Sequence, residues 1–162
     1  MKVLIIIPAY NEAENIERVV GNLQKNYSQF DYVVVNDGSK DKTAEICRKN
    51  GFNFVDLPVN LGLAGAFQTG MKYAYNKNYD AAIQFDGDGQ HRPEYIEEMA
   101  KKMQETGADI VIGSRFVTEK KPFTARMAGS RLIAFLIKLT TGKRIKDPTS
   151  GMRMYSRKVL AE

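Results

Sequence analysis

The sequence has one cysteine, Cys47, and one histidine, His91, in 162 residues. A single cysteine excludes an internal disulfide framework and any cysteine-based zinc site, and it fits a reducing cytoplasm. Its setting, TAEICRK, reads as ordinary helix packing. Long apolar runs are also missing: LIAFLI at 132–137 falls far short of the roughly 20 residues a membrane-spanning helix needs. The opening MKVLIIIPAYNE has one lysine and no small-residue cleavage site, so it reads as a first strand and not a secretory signal. There is no internal repeat, low-complexity tract or interdomain linker. With 43% hydrophobic and 27% charged residues, the composition suits one ordered globular domain. RKVLAE begins a helix that stops at Glu162, so residues 1–162 read as one domain whose final part is missing.

Acidic residues are scarce in one region only. Residues 1–114 carry 12 Lys+Arg against 16 Asp+Glu, a balance of −4, whereas residues 115–158 carry 12 against 2, a balance of +10. A basic C-terminal third calls for an anionic partner, whether nucleic acid, membrane headgroups or a phosphorylated substrate. Its basic residues do not interleave with stacking aromatics as single-strand binders prefer, so nucleic acid is not the expected partner.

KVLIIIP (2–8) and DYVVVND (31–37) are β-branched runs bounded by turn residues, the pattern of strands buried on both faces. Between them Ile16, Val19, Val20 and Leu23 fall at helical spacing. The unit repeats through helix DKTAEICRK, strand 52–57, helix AGAFQTGMKYAYNK, strand 80–85, helix PEYIEEMAKKMQE and strand 109–114. This alternation predicts an α/β fold, an open, mostly parallel sheet with helices on both faces. Ligands in such sheets bind beyond the carboxyl ends of the strands. Past residue 115 the rhythm breaks into a loop, an amphipathic helix SRLIAFLIKLTTG and a last strand SGMRMYS.

The polar motifs fall at those strand ends. In DGDGQH (86–91), Asp86 and Asp88 point to the same side if the backbone stays extended, which suits one shared cation. Oxygen donors without a His or Cys cluster favour Mg²⁺ or Mn²⁺, and such ions commonly share substrate phosphates. An EF-hand would need glycine where His91 stands and a helix where AAIQF stands, and fails on both. An aspartate-nucleophile phosphatase and an Asp/Gly-rich turn are the other readings of this motif. In PAYNE (8–12), Pro8 stops the strand, Tyr10 offers a ring for base stacking and Glu12 an acceptor for base or ribose hydroxyls. Asn11 could equally be a helix cap, with Glu12 a favourable first-turn charge. In NDGSKDKT (36–43), Asp37 could bind a nucleoside, or the stretch could be a turn and a cap. NLGLAGA (60–66) matches neither a dinucleotide nor a Walker pattern.

Taken together, PAYNE, NDGSKDKT, NLGLAGA, DGDGQH and GSR resemble, in order and approximate spacing, the family 2 glycosyltransferases of GT-A (Rossmann-like) fold. KDPTSGMR is similar to the branch holding dolichol-phosphate mannose synthases and polyprenol-phosphate glycosyltransferases. The resemblance implies that Pro8, Tyr10, Glu12 and Asp37 line a nucleotide pocket and that Asp86, Asp88 and Gln90 hold the metal. It also implies that Arg115 contacts the donor diphosphate or an acceptor phosphate. Asn36 departs from the pattern, since the family often has aspartate there.

The implied reaction is inverting transfer of a hexose from a GDP- or UDP-sugar to a polyprenyl or dolichyl phosphate. Such a phosphate, with a second pKa of about 6, is already an anionic nucleophile at neutral pH. Arg115, Arg126, Arg131 and Arg153 suit its binding, because guanidinium matches phosphate bidentately. Asp147 resembles a base in hydroxyl-using relatives, or orients Arg153 or binds the sugar. His91 fits helix entry or a supporting place beside the metal motif. Leu132, Ile133, Phe135, Leu136 and Ile137, flanked by Lys138, Lys143, Arg144 and Lys146, suit an anionic membrane surface, and equally a core-packing helix. The expected location is cytoplasmic, peripheral at the inner face of the membrane. Two alternatives remain: the same fold acting on a saccharide or protein hydroxyl, and a nonenzymatic nucleotide- or RNA-binding module.

Overall fold

A computed structural model describes residues 1–85, 94–113, 133–140, 142 and 152–162. Along the chain run β1 (Val3–Ala9), α1 (Ile16–Asn26), β2 (Asp31–Asn36), α2 (Thr43–Lys49), β3 (Phe54–Asp56) and α3 (Gly62–Asn76). Then follow β4 (Ala81–Gln84), α4 (Tyr95–Thr106), β5 (Ile110–Ile112), a helix at 133–140 (α5), β6 (Arg153–Ser156) and α6 (Arg157–Leu160). The strands form one sheet in the order β3-β2-β1-β4-β6-β5. β3, β2, β1 and β4 are mutually parallel, and β6 is antiparallel to both β4 and β5. The sheet is therefore mostly parallel, as expected, with one reversed strand inserted between β4 and β5.

Every residue of β1 is buried, because this strand lies inside the sheet with helices over both faces. Its side chains alternate between two cores. Ile5 and Ile7 join Val34 and Ile83 beneath Ile16, Val20 and Leu23 of α1, Cys47 of α2 and Met99 and Met103 of α4. Leu4 and Ile6 join Val33, Val35 and Ala82 beneath Ala66 and Ala74 of α3 and Leu160 of α6. α3 lies close to β1 at Gly70, where a Cβ would stand 2.3 Å from Ile6 Cγ2. The four apolar positions of α1 are all buried. Burying a large aliphatic side chain of this kind is worth about 1.5–3 kcal/mol.

The structure corrects one local expectation. Pro8 does not stop β1, which continues through it to Ala9. Ile6 O accepts from Phe85 N on the β4 side, while Ala9 O accepts from Asp37 N on the β2 side. Pro8 shares the β4 side with Ile6, and the register with β4 ends at the Ile6–Gln84 pair. Its missing N–H thus removes no ladder bond among the described residues, which is where a strand tolerates proline.

Candidate active site

The carboxyl ends of β1 and β2 lie side by side, paired up to Ala9 and Asn36. The loops that leave them are joined by hydrogen bonds running both ways. Asn11 N donates to Ser39 Oγ (2.9 Å), and Asn11 Oδ1 accepts from Lys40 N (2.9 Å). Glu12 N donates to Thr43 Oγ1 (2.9 Å), and Ala13 N to Asp41 Oδ2 (3.0 Å). These bonds satisfy the backbone N–H groups that a turn ahead of a helix would leave open. Thr43 is fully buried, and its N and Oγ1 both donate to Asp41 Oδ1. Burial pushes the Asp41 carboxyl up, but the bonds from Thr43 and Ala13 outweigh it and hold the group below its ordinary value.

Asn11 is not a helix cap. It sits in the left-handed region at φ 57, well ahead of α1, and its side chain serves the neighbouring loop. Asparagine tolerates that conformation better than most residues. The turn leaves Tyr10 42% exposed, an open ring at the strand-end edge. Glu12 is part-buried, and its carboxylate accepts from Asn15 Nδ2 at 3.0 Å, so it also steadies the entry to α1.

Asp37 is 3% exposed; its N–H donates to Ala9 O, and its Oδ1 accepts from Leu61 N at 2.7 Å. That bond ties the β2 end to the loop ahead of α3. Gly38 closes the same joint at φ +64, where a Cβ would lie 2.6 Å from Val59 C and 2.7 Å from Asn60 N. Only glycine meets both demands, a left-handed backbone and no side chain.

Pro8, Tyr10, Glu12 and Asp37 are therefore brought together on adjacent strand ends. Arg153 opens β6, one residue before Met154, which pairs with Ile83; this puts it at the same edge of the sheet, on the far side of β4. Asp86, Asp88, Gln90, His91, Arg115, Arg126, Arg131 and Asp147 lie outside the described residues. What precedes Asp86 is described: Phe85 is buried and donates its N–H to Ile6 O at the end of β4. Two carboxylates and an amide form an oxygen donor set that fits a hard divalent cation. Among the described residues no cluster of His, Cys, Asp or Glu could hold a metal.

The profile of Glycosyl transferase family 2 matches residues 4–162. The chain belongs to this family. Among its relatives is the UDP-N-acetylglucosamine--dolichyl-phosphate N-acetylglucosaminyltransferase of Methanococcus voltae, 34% identical over 99% of this chain and 72% of that one. Another is the dolichol-phosphate mannosyltransferase of Pyrococcus furiosus, 35% identical over 93% of this chain and 45% of that one. The polyprenol monophosphomannose synthase of Mycolicibacterium smegmatis is 30% identical over 98% and 63%. The chain thus spans from under half to under three quarters of these relatives. Glucosyl-3-phosphoglycerate synthase from Mycobacterium tuberculosis, in complex with Mn²⁺, UDP and glucosyl-3-phosphoglycerate, shares the fold with a TM-score of 0.72 and 19% identity. That match covers 98% of this chain and 57% of the synthase, and it marks the family 2 sheet described above as GT-A-like.

Ser39, Asp41 and Thr43, which brace the two loops, are not singled out by the sequence, and the part Asn11 plays with them differs from the cap its residue type suggests. Their signal is the density of small polar side chains in NDGSKDKT.

Proposed function

We propose that this chain is the catalytic domain of an inverting, metal-dependent glycosyltransferase that moves a hexose from a GDP- or UDP-sugar to a polyprenyl or dolichyl phosphate. The observation that carries the reading is the braced strand-end shelf, with Tyr10 open and Asp37 fixed beside it, in a family 2 chain. The relatives named for dolichyl and polyprenyl phosphates supply the acceptor class.

Tyr10 stacks on the base, and Pro8, Glu12 and Asp37 complete the nucleoside wall. Asp86, Asp88 and Gln90 hold Mg²⁺ or Mn²⁺, which when bound neutralises charge growing on the leaving diphosphate. Arg115, Arg126, Arg131 and Arg153 hold the phosphates of donor and acceptor. A phosphate oxygen of the acceptor attacks the anomeric carbon as the bond to the nucleoside diphosphate breaks on the opposite face. Configuration inverts, and no proton need leave the nucleophile. Asp147 orients Arg153 or the sugar.

The acceptor's lipid tail requires an apolar landing. In α5 Phe135 is 60% and Leu139 72% exposed, with Ile133 and Leu136 also open and Lys138 beside them. Such a helix suits the headgroup region of an anionic membrane. Among the described residues no helix is long and apolar enough to cross a membrane, and peripheral docking at the cytoplasmic face follows from the reading.

Calorimetric titration with UDP- and GDP-sugars, with and without Mn²⁺, tests it. Binding that needs the metal and vanishes in Asp88→Asn is expected; unchanged turnover in Asp88→Asn would refute it. Loss of transfer in Asp147→Ala together with indifference to lipid phosphates would instead favour a hydroxyl acceptor.

A further inference from the structure

Asn36 ends β2, is 1% exposed and stands in register with Asp56 of β3. Its Nδ2 donates to Asp56 Oδ1 at 2.6 Å, and its Oδ1 accepts from Ser39 Oγ. The other Asp56 oxygen takes the Arg48 guanidinium of α2. Ser39 Oγ, its one proton spent on Asn36, accepts from Asn11 N at 2.9 Å. The donors therefore run in one direction, from Asn11 to Ser39 to Asn36 to Asp56, and end on a carboxylate whose charge Arg48 balances. Each link polarises the next, and the central member, Asn36, is buried.

Aspartate at position 36 would disrupt this run of donors. A second carboxylate would face Asp56 across a hydrogen-bond distance, and since like charges so placed cannot both ionise, one acid would have to hold a proton to replace the amide's donor. The amide at this place is matched to the acid opposite it.

We propose that Asn36 is a positioning residue anchored by Asp56: from β3 the pair sets the turn that carries Tyr10, and with it the base-facing wall of the donor pocket. The inference rests on the donor-site reading above.

The test compares wild type with Asn36→Asp, Ser39→Ala and the double variant Asn36→Asp/Asp56→Asn. The double variant swaps acid and amide while keeping the net charge and every donor. Two readouts are taken: backbone amide exchange, and calorimetric affinity for UDP- and GDP-sugars with Mn²⁺. Asn36→Asp should speed exchange at Asn11 and Lys40 and weaken the preferred nucleotide by about tenfold or more, the scale of a lost hydrogen bond to a charged group. The double variant should restore both. Ser39→Ala, which leaves the Asn36–Asp56 bond in place, should speed exchange at Asn11 but not at Leu57, whose N–H bonds Asn36 O. Unchanged exchange at Asn11 in Asn36→Asp, or failure of the swap to restore it, overturns the proposal. Should wild type bind neither nucleotide sugar, the donor reading falls, while the exchange data still decide whether Asn36 positions the turn.

Discussion

Replacing Gly38 by alanine tests whether the β2 end and the loop ahead of α3 are fitted to each other or merely adjacent. Gly51 is the control: it has nearly the same φ, +63 against +64, but nothing lies within 4 Å of its Cβ position. Alanine at either site meets the left-handed strain of roughly 1–2 kcal/mol, partly offset by about 0.4–1 kcal/mol from a stiffer unfolded chain. Only at Gly38 does the new methyl also meet backbone, at 2.6 Å from Val59 C and 2.7 Å from Asn60 N. Backbone cannot rotate aside, so the loops must part, at a cost of about 1–3 kcal/mol for overpacking. Parting them stretches the Leu61 N bond to Asp37, now 2.7 Å, and bonds to charged groups contribute about 1.5–3 kcal/mol. Allowing for partial relaxation, Gly38→Ala should be less stable than Gly51→Ala by roughly 2–5 kcal/mol. Urea denaturation of the two variants in parallel measures the difference. In a chain of this size it corresponds to a gap of at least about 4 °C in Tm. Equal stabilities, within about 0.5 kcal/mol, would refute the fitted joint.

Other outcomes are open to direct measurement. The Asp41 carboxyl titrates below its ordinary value in the fold, so its stabilising effect is full above the unfolded carboxylate pKa of about 3.9 and fades as pH falls through the folded value. Urea midpoints taken from pH 6 downward should show Asp41→Asn losing part of the acid dependence of wild type. Burial, with Asp56 nearby, pushes the Cys47 thiol up to about 11. Alkylation by iodoacetamide at pH 8 should therefore be slow in the folded protein and rapid in urea, and equal rates would contradict the packing of α2. Phe135→Glu/Leu139→Glu should reduce co-sedimentation with anionic phosphatidylglycerol vesicles and leave affinity for soluble donor unchanged.

Much of this architecture could be read in advance where burial is two-sided. The runs at the start of the chain and at 31–37 had to be interior strands, and the spacing of Ile16, Val19, Val20 and Leu23 had to face a sheet. The strand-end location of Tyr10, Glu12 and Asp37 followed from the alternation of elements. Three features were not legible, for distinct reasons. Continuation through Pro8 depends on where the neighbouring strand stops pairing, a property of β4 and not of β1. The reversal of β6 depends on how the chain returns to the sheet, which a short strand does not encode. The role of Asn11 depends on Ser39 and Lys40, distant in sequence, so its local preference for caps pointed elsewhere.

The reversed strand has a consequence for the order of assembly. β5 ends at Ile112 and joins the sheet through β6, which begins only at Arg153. During synthesis β5 leaves the ribosome well before the strand it must pair with, and the early β1–β4 layer can close without it. The strand bearing Arg153 is thus a late arrival, and a nascent chain halted before residue 152 would hold the Tyr10 turn without the arginine that opens β6.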